Sequence, residues 1–79
     1  MKIPVIKKLI QELDIESLKR SSNELEEEKP LSLEIGGDDD GEKLTHIYGA
    51  IWILEQVEKG TDKNMALREF SARVRNSIN

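Results

Sequence analysis

The sequence predicts a mainly α-helical protein: a small four-helix domain, residues 1–79, with one short extended segment at about 31–35 before the third helix. Three observations carry this. Apolar residues recur at helical spacing in four separate stretches. Capping residues and helix breakers fall between those stretches. One short segment alone alternates with period two.

The first helix is expected over about 4–13. Pro4 suits a first helical position, and Ile6, Leu9, Ile10 and Leu13 form one stripe. A second stripe runs through Ile15, Leu18, Ser22 and Leu25, rotated from the first by roughly 140° at about 100° per residue, so one straight helix could not bury both. The chain should break near Asp14, which suits an N-cap with Glu16 in the first turn. Ser21 and Glu24 also have capping-box spacing, which would cut this stretch in two; a single helix over 15–28 is preferred. Its end carries Glu26, Glu27 and Glu28 where a helix dipole favours cations; Lys29 partly offsets them and Pro30 stops the helix.

In "PLSLEIGG", Leu31, Leu33 and Ile35 alternate with polar residues. With no second alternating stretch to pair with, the segment is either a connector packed on helices or a strand that pairs with its copy in another subunit. Gly36 and Gly37 then turn the chain, Asp39 and Glu42 have capping-box-like spacing, and a third helix is expected over about 41–59, closed by Gly60. Thr61 is expected to cap a last helix over about 62–77, with Ala66, Leu67, Phe70, Val74 and Ile78 as its apolar positions.

The third helix is the unusual one. Ala50, Ile51, Trp52, Ile53 and Leu54 are consecutive and cover the whole helical circumference; Leu44, Ile47, Tyr48 and Val57 add to them. A helix apolar on all sides is a central one. The β-branched and aromatic content of "HIYGAIWIL" lends a strand reading local merit, but Gly49, the capping signals and the "LEQVEKG" continuation favour helix.

Composition bounds the function. A chain of 79 residues buries only about 60 to 65% of its unfolded surface, so its private core is small. There is no cysteine, which excludes disulfides, thiolate metal sites and thiol catalysis within it. The N-terminal "MKIPVIKKL" does not read as a signal peptide, and no apolar run nears the roughly 18 residues that cross a bilayer. A soluble cytoplasmic protein is expected. Net charge is −4: Lys and Arg number six against seven Asp and Glu over 1–30, two against seven over 31–60, and four against two over 61–79. An acidic chain without a basic stripe argues against nucleic-acid binding. Arg68, Arg73 and Arg75 read as cations near a helix C-terminus.

The aspartates of "IGGDDDGEKLT" invite a metal or phosphate reading. A calcium loop with Gly41 at its sixth position would need carboxylates where Gly36 and Ile47 stand. A phosphate loop would surround its anion with carboxylates and lacks the Gly-Lys-Ser/Thr ending. Asp38, Asp39 and Asp40 therefore read as charge and capping. His46 lies one turn after Glu42, and two ligands do not make a metal site. No Ser/His/Asp arrangement is recognisable. No metal, cofactor or catalytic residue is expected, and the chain is read as a non-enzyme.

The three other helices could cover only part of the third, so a second copy is the economical source of the missing cover. The expectation is a homodimer serving as a protein-interaction module, or one that binds another cytoplasmic protein. Tyr48, Gly49, Ile51, Trp52 and Leu54 are the candidate interface, with Gly49 and Ala50 permitting close approach of backbones and Trp52 as the anchor. Trp52 in the monomer's own core is the plainer alternative for that residue. The alternative function is a small-ligand or divalent-metal-binding protein using the acidic loop and His46.

The runs "MKIPVIKKL" and "GEKLTHIYGAIWILEQ" resemble a family of very short bacterial proteins, common in Bacteroidetes, classed as a domain of unknown function. The resemblance covers nearly the whole chain. It implies neither a catalytic residue nor a cofactor.

Overall fold

In a computed structural model that describes residues 2–77, four helices follow one another: α1 (Ile3–Glu12), α2 (Ile15–Glu26), α3 (Asp40–Glu58) and α4 (Lys63–Ser77). Ile78 lies outside the described residues, as does the side chain of Arg75.

The break at Asp14 falls where the two stripes require it. Asp14 is the N-cap of α2, and its carboxylate accepts the Ser17 N–H at 2.8 Å. That backbone hydrogen bond, seconded by the Ser17 side chain, holds its carboxyl below the usual aspartate range. The capping-box spacing of Ser21 and Glu24 is not used, and α2 runs unbroken. Ser21 is fully buried, and Glu24 turns to accept both the backbone N–H and the hydroxyl of Ser32 at 3.2 and 3.0 Å.

α2 ends two residues earlier than expected. The Lys29 N–H reaches the Glu24 carbonyl at 2.8 Å and the Glu28 N–H reaches the Leu25 carbonyl at 3.2 Å, the paired bonds of a Schellman turn. This puts Glu28 in the left-handed region at φ 57° without a glycine's freedom.

Within the chain the 31–35 segment forms no strand and runs as a connector packed on the helices. Its alternation survives as packing, with Ile35 buried, Leu31 and Leu33 half-buried, and Ser32 and Glu34 exposed. Asp39 then caps α3, accepting the Glu42 N–H at 2.7 Å, while the Glu42 carboxylate reaches one residue further back than a capping box does, to the Asp38 N–H at 2.9 Å.

Gly60, at φ 103°, ends α3 in a second Schellman turn. Here one expectation fails. The Thr61 N–H is committed to that turn, donating to the Gln56 carbonyl at 3.0 Å. α4 starts at Lys63, one residue later than expected, and its cap is Asp62, whose carboxylate accepts from Asn64 and Met65 N–H at 3.0 and 3.3 Å.

α3 is central, and α1, α2 and α4 each pack against it. The core gathers Ile6, Leu9, Ile10, Leu18, Leu25, Ile35, Ile47, Ala50, Ile53 and Ala66. The extents are 33 × 29 × 17 Å, a flat arrangement in which three neighbours cannot enclose a helix that is apolar all round. Tyr48 stays 48% exposed, and Ile51, Trp52, Leu54 and Val57 are half-buried.

Candidate functional site

The uncovered flank of α3 becomes a groove where α4 crosses it. Gly49 makes the crossing close: a Cβ there would sit 2.6 Å from Phe70 Cζ, inside any real contact distance. Phe70 thus packs on bare backbone, and within the chain the close approach that Gly49 permits is that of α4.

Thr45, Tyr48, Gly49 and Trp52 from α3 and Phe70 and Arg73 from α4 line a shallow groove of about 400 Å³. The chain has one tryptophan, one tyrosine and one phenylalanine, and all three are here. Trp52 and Phe70 lie 6.1 Å apart between ring centroids at 40°, within the range of a favourable aromatic pair. The Arg73 guanidinium stands 5.0 Å from the centroid of the Trp52 ring, a cation–π arrangement. On the other side, the Tyr48 hydroxyl donates to Glu26 Oε1 at the end of α2. That bond, together with burial and the carboxylate charge, raises the Tyr48 phenol above the usual tyrosine range. An acid from α2 and a base from α4 therefore flank an aromatic stripe.

Of the candidate interface residues, Tyr48 and Trp52 share this face. Ile51 and Leu54 do not line it: at about 100° per residue Ile51 lies about 60° from Tyr48 but about 100° from Trp52, Leu54 lies about 120° and 160° from them, and both pack half-buried against the core. Phe70, Arg73 and Glu26 are groove residues that the sequence reading assigned elsewhere. By sequence Phe70 is a position in the α4 stripe, Arg73 a cation near a helix C-terminus and Glu26 one of three glutamates at the end of α2. The spacing of Phe70 and Arg73, one turn apart on α4, was the available signal.

The residues of the alternative site are engaged elsewhere. His46 is fully buried; it accepts the Lys2 N–H on Nε2 at 2.9 Å, so Nδ1 carries the proton and donates to the Gly36 carbonyl at 2.8 Å. Its ring ties the start of α1 and the turn before α3 to the middle of the fold. Asp39 and Glu42 serve the α3 cap, and Asp38 pairs with Lys2 Nζ at 3.3 Å. Among the described residues, no three His, Cys, Asp or Glu side chains are grouped to hold a metal ion, and no helix is long and apolar enough to cross a membrane.

No curated protein and no solved structure matches the chain. A family model described as a family of unknown function, DUF6952, matches residues 1–79, the whole of it. The protein is thus a member of the DUF6952 family.

Proposed function

We propose that this chain is a small cytoplasmic, non-enzymatic interaction module that works as a homodimer, with the groove between α3 and α4 as its contact surface. The observation that carries this reading is the gathering of all three aromatic residues, with an arginine, along one open groove, where Tyr48 is exposed and Trp52 and Phe70 are only half-buried. Tyrosine, tryptophan and arginine are the side chains in which interface energy concentrates.

Surface area supports the same reading. The chain exposes 5312 Å², against roughly 4,850 Å² for a folded monomer of this mass. A standard interface covers about 800 Å² on each partner. A second copy on the open side of α3 removes an excess that the flat shape creates.

The test is solution mass combined with substitutions in the groove. Trp52→Glu buries a charge at the centre of the contact and is expected to give a monomer. Thr45→Arg is the variant that spares the core, because Thr45 is exposed and its hydroxyl bonds only the Gly41 carbonyl of its own helix. It should keep wild-type helicity by circular dichroism and lose the dimer. A dimer unaffected by both would overturn the assignment. A divalent metal that raises the melting temperature would move the reading to the metal-binding alternative, since a ligand of the folded state alone stabilises it.

A further inference from the structure

The two flanks of the groove differ in charge, and that difference constrains how a second copy can sit. Arg73 lies on the α4 side of the Trp52–Tyr48 stripe and Glu26 on the α2 side. A two-fold axis that runs along the Trp52–Tyr48 stripe carries each flank of one copy over the opposite flank of the other. We infer that the homodimer is built on such an axis over the groove, with Arg73 of each protomer pairing with Glu26 of the partner subunit. This rests on the self-association proposed above and names its register.

The local chemistry fits the pairing. Arg73 has no carboxylate partner among the described residues, and Glu69, one turn earlier on α4, makes no ion pair with it. Its guanidinium is stacked on the Trp52 face, and a planar guanidinium used that way still presents N–H donors along its edge. Glu26 spends Oε1 on the Tyr48 hydroxyl, which holds the carboxylate at the rim, and Oε2 has no cation partner among the described residues. Each copy thus offers one base and one acid fixed by its own aromatic residues. A two-fold axis lying across the stripe would instead set Arg73 on Arg73 and Glu26 on Glu26, which like-charge repulsion disfavours.

The experiment is a charge reversal followed by sedimentation equilibrium on the full chain, with circular dichroism to show that each variant folds. Arg73→Glu and Glu26→Lys should each weaken the dimer by about tenfold or more, because each places two like-charge contacts in one interface. The double variant Arg73→Glu/Glu26→Lys restores both pairs with reversed sign and should return to within about threefold of wild type. Glu26→Lys also removes the Tyr48 hydrogen bond, so Tyr48→Phe, which loses that bond and keeps the carboxylate, is measured beside it: Glu26→Lys should weaken the dimer more than Tyr48→Phe does, and an equal loss in the two overturns the charge pairing. A double variant no tighter than the singles overturns the pairing. If Trp52→Glu and Thr45→Arg dissolve the dimer while the double reversal fails to rescue it, the groove stands and the register falls. A wild-type chain that is monomeric throughout overturns both.

Discussion

Gly49→Ala tests the packing that creates the groove. The new methyl carbon would lie 2.6 Å from Phe70 Cζ and 3.1 and 3.2 Å from its two Cε atoms, so the ring must retreat by about 0.8 Å to regain ordinary contact at 3.4 Å. Two opposing effects decide the outcome. Replacing a mid-helix glycine by alanine gains about 1 kcal/mol in helix propensity. Overpacking a fitted contact costs about 1 to 3 kcal/mol. Phe70 can swing only by loosening its contact with Trp52, a pair of a kind worth about 0.5 to 1.5 kcal/mol. The net expectation is destabilisation by about 1 kcal/mol. Gly41→Ala is the matched control in the same helix, since a Cβ there meets only Asp39 Oδ1 at 3.4 Å, and it should be neutral or stabilising. Urea denaturation at one fixed protein concentration reads both. In Gly49→Ala/Phe70→Leu the obstructing ring is gone, so the two changes should be non-additive by about 1 kcal/mol. A Gly49→Ala variant as stabilised as Gly41→Ala, with no coupling to Phe70, would refute the close crossing of α4 over α3.

Three other outcomes follow from the structure. His46→Ala leaves the Lys2 N–H and the Gly36 carbonyl without their partner and opens a cavity; a loss of about 2 to 4 kcal/mol in urea denaturation is expected, and a loss under about 0.5 kcal/mol would count against the buried tie. Glu28→Gly should stabilise by about 1 kcal/mol by relieving a left-handed residue, whereas Glu28→Ala should gain nothing from that source; equal effects in thermal denaturation would argue against the turn. Tyr48 is the only tyrosine, so phenolate absorbance titrates it alone and should show a midpoint above the usual tyrosine range that falls in Glu26→Gln. Because the folded value is the raised one, this bond's contribution is complete below the ordinary tyrosine range and disappears as pH rises through the folded value. An unshifted midpoint would remove the Tyr48–Glu26 bond from the account.

The parts of the fold that the sequence announced are those whose causes are local. Asp14, Asp39 and Gly60 act on N–H or carbonyl groups within a few residues, and the stripes of α1 and α2 are set by helical geometry alone. The misplaced boundaries have local causes too, in which one signal outcompetes another. Thr61 is a fair N-cap by residue type, but it is taken up as the last residue of the turn that closes α3, and Asp62 beside it carries the stronger acceptor. Glu28 gave no sign of left-handed backbone because its residue type does not favour it. The site depends on distant parts of the chain. That α3 is central followed from five consecutive apolar residues, but which side stays open depends on where α4 crosses, and hence on Phe70 meeting Gly49 across 21 positions. His46 shows the same limit, since its partners lie 44 and 10 residues away and no spacing rule links them.

The central claim is that the aromatic groove is covered by a second copy, and solution mass by light scattering over a range of protein concentrations tests it most directly. The expected result is twice the chain's 9.0 kDa at high concentration, falling toward 9.0 kDa on dilution. A mass of 9.0 kDa at every concentration would contradict it.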